Sequence, residues 1–175
     1  MRRRESGIFL ALAGLMALIA LLQPQFATPT NLFLVGRQVA FTAIVALGVF
    51  FVILTGGIDL SVGSMVGLSG VTCGLAMAAG VHPVLAVLVG LLTGAAVGAA
   101  NGAVVAWVGV TPFIVTLGTL SMARGAVLVL THGDSVRAIP EPFIDAGLLN
   151  VLGIPVPVIV LVLVAAASHV ILTYT

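Results

Sequence analysis

Apolar stretches of about 18 residues or more recur along this chain, and they leave few folds open. A bilayer offers no water to backbone N–H and C=O groups, so such runs read as helices that satisfy their own hydrogen bonds while crossing it. The chain is 61% hydrophobic and 6% charged, and its mean hydropathy is +1.35. The expected fold class is all-α: a polytopic transmembrane helical bundle of about six spans, forming a single domain over residues 1–175. Twenty-one glycines suit that setting, because small residues let transmembrane backbones approach one another.

The expected spans are about 8–22, 32–54, 60–79, 83–108, 112–130 and 157–174. The first follows Met1-Arg2-Arg3-Arg4 and ends at Gln23-Pro24. An Arg-rich start before a short apolar run also fits a secretory signal. However, "LLQPQFATPT" (residues 21–30) lacks a small-x-small cleavage site and more membrane follows at once, which favours an uncleaved signal-anchor. The fourth span is long enough, at ~1.5 Å per residue, to tilt across a hydrocarbon core of ~30 Å. Pro83, Pro112 and Pro157 open the last three spans, where a missing N–H costs nothing. His82 and Thr111 precede two of them, and Thr111 is a candidate N-cap. The positive-inside rule keeps Arg2–Arg4 in the cytoplasm. Six crossings then put both termini and the 54–64 turn inside. The 131–155 loop, with Asp134, Arg137, Glu141 and Asp145, falls outside.

Several chemistries are excluded. Six Arg, no Lys and five acidic residues give no basic stripe for nucleic acid. Cys73 is the single cysteine and sits in an apolar run, so neither a disulfide nor a multi-cysteine metal site is available. The chain has no phosphate-binding loop, no H-E-x-x-H, no G-x-S-x-G and no paired carboxylates within a span. No catalytic, cofactor or metal site is expected, and ATP is not hydrolysed by this chain.

Four features stand out against that apolar background. In "LTGGIDLSVGS" (54–64), Gly56-Gly57 breaks a helix, and Asp59 or Ser61 can cap the next one. The alternative is a pathway role, because a charge placed deep in the bilayer costs at least ~2.5–3.5 kcal/mol and implies a partner. Span four carries Gly90, Gly94, Gly98 and Gly102, one at every fourth position and so nearly on one face. They are the candidate helix-packing residues, either as generic packing or as a sliding surface during transport. Asn101 is polar at depth and reads as interhelical glue. Arg124 lies twelve residues into span five, where it must snorkel, face the bundle interior or line a wet cavity. Arg37 and His169 read as interfacial.

Two stretches carry a family resemblance: "ILTGGIDLSVGSMVGLSG" (53–70) and "GAAVGAANGAVVAWVGVTPFIVTLGTLSMARGAVLVLTHG" (94–133). They resemble the permease subunits of ribose-type sugar ABC importers, within the branched-chain amino acid/ribose permease superfamily. The resemblance implies a translocation pathway for a monosaccharide such as ribose. Its implied partners are a second permease copy, a cytoplasmic ABC ATPase that uses the ATP, a periplasmic sugar-binding protein and membrane lipid. It implies a bacterial plasma (inner) membrane location with a cytoplasmic N-terminus. It places the 56–64 and 111–119 segments among the family hallmarks, which favours more than a capping role for Asp59. With the polar groups at depth, the candidate pathway or conformational residues are Asp59, Ser61, Asn101, Thr116 and Arg124. Permeases of that family are about twice as long, so the chain is expected to be the N-terminal half of one, truncated after Thr175. The alternatives are a permease of the same superfamily for an amino acid, nucleoside or other small solute, or a structural helical membrane protein.

Overall fold

The computed structural model describes the backbone of residues 2–174 and the side chains of residues 7–174. The side chains of Arg2–Arg4, on which the expected orientation rests, lie outside the described residues. Helix α1 spans Arg2–Leu22, and a single 3-10 turn, Pro24–Ala27, leads into α2, Pro29–Leu54. Pro29 occupies the first turn of α2, and the Thr28 hydroxyl accepts the Asn31 N–H at 3.4 Å. Gly56, at φ +77°, lets the chain reverse after α2. Helix α3 covers Val62–Ala78 and α4 covers Pro83–Ala103. The end of α4 widens into a π-helical turn over Val104–Val108, which the left-handed Gly109 terminates. Helix α5 is Pro112–Thr131. The segment after it contains a short helix α6 (Glu141–Leu148) and a minimal antiparallel pair, β1 (Asn150–Val151) and β2 (Ile154–Pro155). Helix α7, Val156–Tyr174, closes the described chain.

The all-α membrane architecture holds, with an adjustment to the spans. Among the described residues, four helices are long and apolar enough to cross a membrane: Pro29–Leu54, Pro83–Val108, Pro112–Thr131 and Val156–Tyr174. The apolar helical parts Gly7–Leu22 and Val62–Ala78 are shorter. The third span was expected from residue 60, but the helix starts only at Val62. Asp59 and Leu60 precede it in the turn, where the Leu60 N–H is bonded to Thr116 and the Asp59 carboxylate to Ser61. Seventeen helical residues rise about 25 Å, short of a ~30 Å core.

Helix α3 is the centre of the fold, packed along α4 on one side and α5 on the other, while α2 packs against α7. Helices α3 and α4 are antiparallel. Thr72 donates to Thr93 at 3.1 Å midway along α4, and the Ser61–Asn101 contact lies near its C-terminal end. Helix α5 runs parallel to α3, with Thr116 beside residues 58–60 and Arg124 beside Gly67. The buried residues are mostly small, among them Ala40, Ala86, Ala123, Gly74 and Gly90, so the helices hold together by close approach. Large apolar side chains such as Leu91, Leu92, Ile114 and Leu163 point outward, as lipid-facing surfaces require.

Arg37 reaches across to the α6–β1 segment. Its guanidinium donates through Nη2 to the Leu148 carbonyl and to Asn150 Oδ1, the latter at 3.1 Å. It is half-buried and ties this connecting segment to α2.

Candidate functional site

The glycine break after α2 delivers Asp59 to the head of α3, and the carboxylate turns back onto that helix. Asp59 Oδ1 accepts the Ser61 N–H at 2.7 Å and the Ser61 hydroxyl at 2.6 Å. Ser61 occupies the N-cap position of α3 without a side-chain cap bond of its own. A negative charge next to a helix N-terminus also gains from the partial positive charge there, by about 0.3–1 kcal/mol. Asp59 therefore secures the N-cap residue itself, through its N–H and its hydroxyl, while neither side chain accepts an N–H from within α3. The other carboxylate oxygen of Asp59 has no donor among the described residues.

Ser61 is fully buried and joins Asp59 to α4. Asn101 Nδ2 lies 3.5 Å from the Ser61 hydroxyl, and Asn101 Oδ1 accepts the Thr119 hydroxyl at 2.6 Å. The donors line up in one direction, from Asn101 amide to Ser61 hydroxyl to Asp59 carboxylate. Such a chain is polarised by its charged end. Thr116, one turn before Thr119, grips the same turn from α5. Its hydroxyl accepts the Leu60 N–H at 3.1 Å and lies 2.8 Å from the Pro112 carbonyl and 3.2 Å from that of Ile58. Thr116 and Thr119 are both buried. Four of the five candidate residues thus meet in one seam where α3, α4 and α5 converge.

Arg124 does not join them. It is exposed in a separate groove beside Gly63, Ser64 and Gly67 and has no hydrogen bond or ion pair among the described residues. Sequence reasoning passed over Thr119 as an individual residue, although its spacing of three from Thr116 puts both on one face of α5. It reads Arg37 as interfacial and does not give its partners, which are more than a hundred residues away.

The seam borders open space. A cavity of about 460 Å³ separates α2 from α3 and α4, with Val45, Val49 and Val52 on one wall and Asp59, Ser61 and Asn101 on the other. Beside it, a smaller hollow of about 180 Å³ is bordered by Thr55, Asp59, Asn101 and Thr116. The expected glycine ridge divides here. A Cβ at Gly90 would lie 2.8 Å from the Ser69 carbonyl oxygen and 3.1 Å from Cys73 Cβ, and one at Gly94 would lie 3.1 Å from Ser69 Oγ. Gly98 and Gly102 have nothing within 4 Å of that position and edge the cavities instead. The Asp59 carboxylate and the Asn101 amide beside such a space can bond a neutral polar solute, with the buried Ser61 hydroxyl held between them. No group of three His, Cys, Asp or Glu able to hold a metal occurs among the described residues.

This arrangement occurs in a chain with clear relatives. The chain is 43% identical over 161 residues to the D-allose transport system permease protein AlsC of Escherichia coli (strain K12), covering 91% of this chain and 49% of the relative. It is 40% identical over 162 residues to the ribose import permease protein RbsC of Bacillus subtilis (strain 168), covering 91% and 50%. With the ribose import permease protein RbsC of Escherichia coli (strain K12) it shares 37% over 175 residues, covering 98% and 54%. The chain spans about half the length of the curated relatives it matches. No solved structure matches it. The family described as "Branched-chain amino acid transport system / permease component" matches residues 31–175, and this multi-pass membrane chain belongs to it.

Proposed function

We propose that the chain is membrane-spanning permease sequence of an ATP-binding-cassette importer and forms one wall of the translocation pathway for a monosaccharide such as ribose or allose. The observation that carries this reading is the polar seam. Asp59, Ser61 and Asn101 face a cavity between α2 and the α3–α4 pair in an otherwise apolar bundle. A sugar presents hydroxyls in every direction, and hydroxyl, amide and carboxylate groups on rigid helix positions suit it. The named functions of the allose and ribose relatives support the solute class.

In this reading the chain needs no cofactor of its own. Energy comes from a cytoplasmic ABC ATPase, solute arrives on a periplasmic sugar-binding protein, and a second permease copy completes the pathway. Membrane lipid surrounds the assembly, nucleic acid plays no part, and the location is the bacterial inner membrane with the N-terminus in the cytoplasm. The 54–60 turn, with the seam just behind it, then lies near the cytoplasmic face, and α6 with its short β-pair lies outside.

Uptake tests the reading. Cells lacking their own sugar importers, supplied with the complete permease, its ATPase and its binding protein, should accumulate labelled ribose or allose in an ATP-dependent way. Uptake restricted to amino acids or nucleosides would exclude the monosaccharide and leave the family intact. Orientation is checked by thiol labelling in a Cys73→Ala background. Ser135→Cys should react with an impermeant reagent in intact cells, and Thr55→Cys only after permeabilisation. The reverse pattern would invert the topology.

A further inference from the structure

Arg124 is the polar group that the seam leaves unexplained. It sits in α5 roughly 18 Å from the Pro112 end and roughly 10 Å from the Thr131 end, at a rise of ~1.5 Å per residue. Helical Cα–Cβ bonds tilt toward the N-terminus, so its side chain leaves α5 toward the distant Pro112 end. Snorkelling to the nearer surface works against that direction. The guanidinium is exposed on the outer face of the bundle and unpaired among the described residues.

Beside it lies a groove of about 390 Å³ between α3 and α5. Gly63, Ser64 and Gly67 form its floor, and Leu120 and Val127 stand at its side. A Cβ built at Gly63 or Gly67 meets nothing within 4 Å, so no part of the described chain fills the groove. Two glycines four apart on an open helix face make a surface that another helix backbone can approach closely. The charge narrows the occupant. An anionic lipid headgroup stays at the interface, whereas a transmembrane helix can bring a carboxylate to this depth. A guanidinium takes a carboxylate in a fork of two hydrogen bonds.

We propose that this groove is the docking surface for an apolar transmembrane helix carrying an Asp or Glu at the level of Arg124. The helix packs its backbone over Gly63 and Gly67 and pairs its carboxylate with the guanidinium. The inference is independent of which solute is carried.

The test uses the intact protein purified in its native complex, melted in neutral detergent. Arg124→Leu should lower the melting temperature by several degrees, because it orphans a buried carboxylate. Arg124→Lys should recover much of that loss by restoring the charge. Gly67→Leu should also lower it, since leucine would push the docked backbone away while meeting nothing within the described chain. A lipid-facing Arg124 predicts the opposite sign, with Arg124→Leu neutral or stabilising, and that outcome overturns the proposal. A neutral Gly67→Leu overturns it whatever Arg124→Leu does, and decides the matter if the arginine variants fail to assemble. Added phosphatidylglycerol is the lipid arm. If it raises the melting temperature of wild type and not of Arg124→Leu, the occupant is an anionic headgroup and the helix proposal fails.

Discussion

Helices α3 and α4 meet in two different ways along one contact. At Gly90 the helix lies against the Ser69 backbone with no room for even a methyl group, and at Gly94 it lies against the Ser69 side chain. Around Gly98 and Asn101 the helices are joined by side chains, through Ser61 and Asp59, and a cavity opens alongside. The first region is held by shape and the second by hydrogen bonds. Close packing tolerates little displacement, whereas a hydrogen-bonded seam beside open space can exchange partners with a solute. In the proposed permease the same helix pair would provide a fixed pivot and an adaptable surface, and substitutions can test whether the two regions differ as described.

The largest effect on stability is expected at the pivot. Gly90→Ala should destabilise by about 1–3 kcal/mol, and Gly90→Leu by more, because the obstructing atom is a backbone carbonyl that no rotamer change can move. Unfolding in detergent monitored by helix signal measures this. A Gly90→Ala protein that melts like wild type would remove the distinction between the two regions.

An intermediate effect belongs to the seam. Asp59→Leu removes the acceptor of the Ser61 N–H and hydroxyl and should cost about 1–3 kcal/mol. Asp59→Asn keeps an oxygen for the N–H, and asparagine serves helix starts about as well as aspartate, so its stability should stay within about 1 kcal/mol of wild type. Transport separates the roles. If the charge acts only through capping, Asp59→Asn transports normally and Asp59→Leu does not. The unpaired carboxylate oxygen at the cavity leads us to expect that Asp59→Asn assembles but transports poorly. Full transport by Asp59→Asn would reduce Asp59 to a structural residue.

The two regions were not equally legible in the sequence. The pivot follows from a repeat, since glycines at four-residue intervals share a helix face. The helices themselves were legible for the same local reason. Apolar length and opening prolines placed spans four and five at residues 83–108 and 112–130, against observed Pro83–Val108 and Pro112–Thr131. The seam is only half local. The Gly-Gly break and the Asp59–Ser61 pair lie within a few residues, but Asn101 meets Ser61 across forty residues and Thr116 meets Ile58 across fifty-eight. Hydrophobic period says nothing about such pairs. The turn before α3 is hidden for the same reason, because Thr116 accepts the Leu60 N–H from another helix. The π-helical turn at Val104–Val108 was hidden as well, because Val-Val-Ala-Trp-Val continues the apolar run without a break.

The smallest effect on stability is expected at Gly98, where it is most informative. A four-glycine ridge in contact along its whole length would make Gly98→Leu as damaging as Gly90→Leu. The geometry separates them, because a Cβ at Gly98 meets nothing within 4 Å and points beside the cavity between α2 and α4. Glycine in a helix interior costs roughly 0.5–1 kcal/mol relative to alanine, so Gly98→Leu should leave stability unchanged or raise it by a few tenths of that range. The leucine side chain would occupy cavity volume next to Asp59 and Asn101 and should lower solute uptake. Stability and transport therefore move apart at Gly98 and fall together at Gly90. Unfolding and uptake measured on the same two variants read both quantities. A destabilised Gly98→Leu would mean that the cavity closes around α4 in the assembled permease, and the pivot would then extend through the seam.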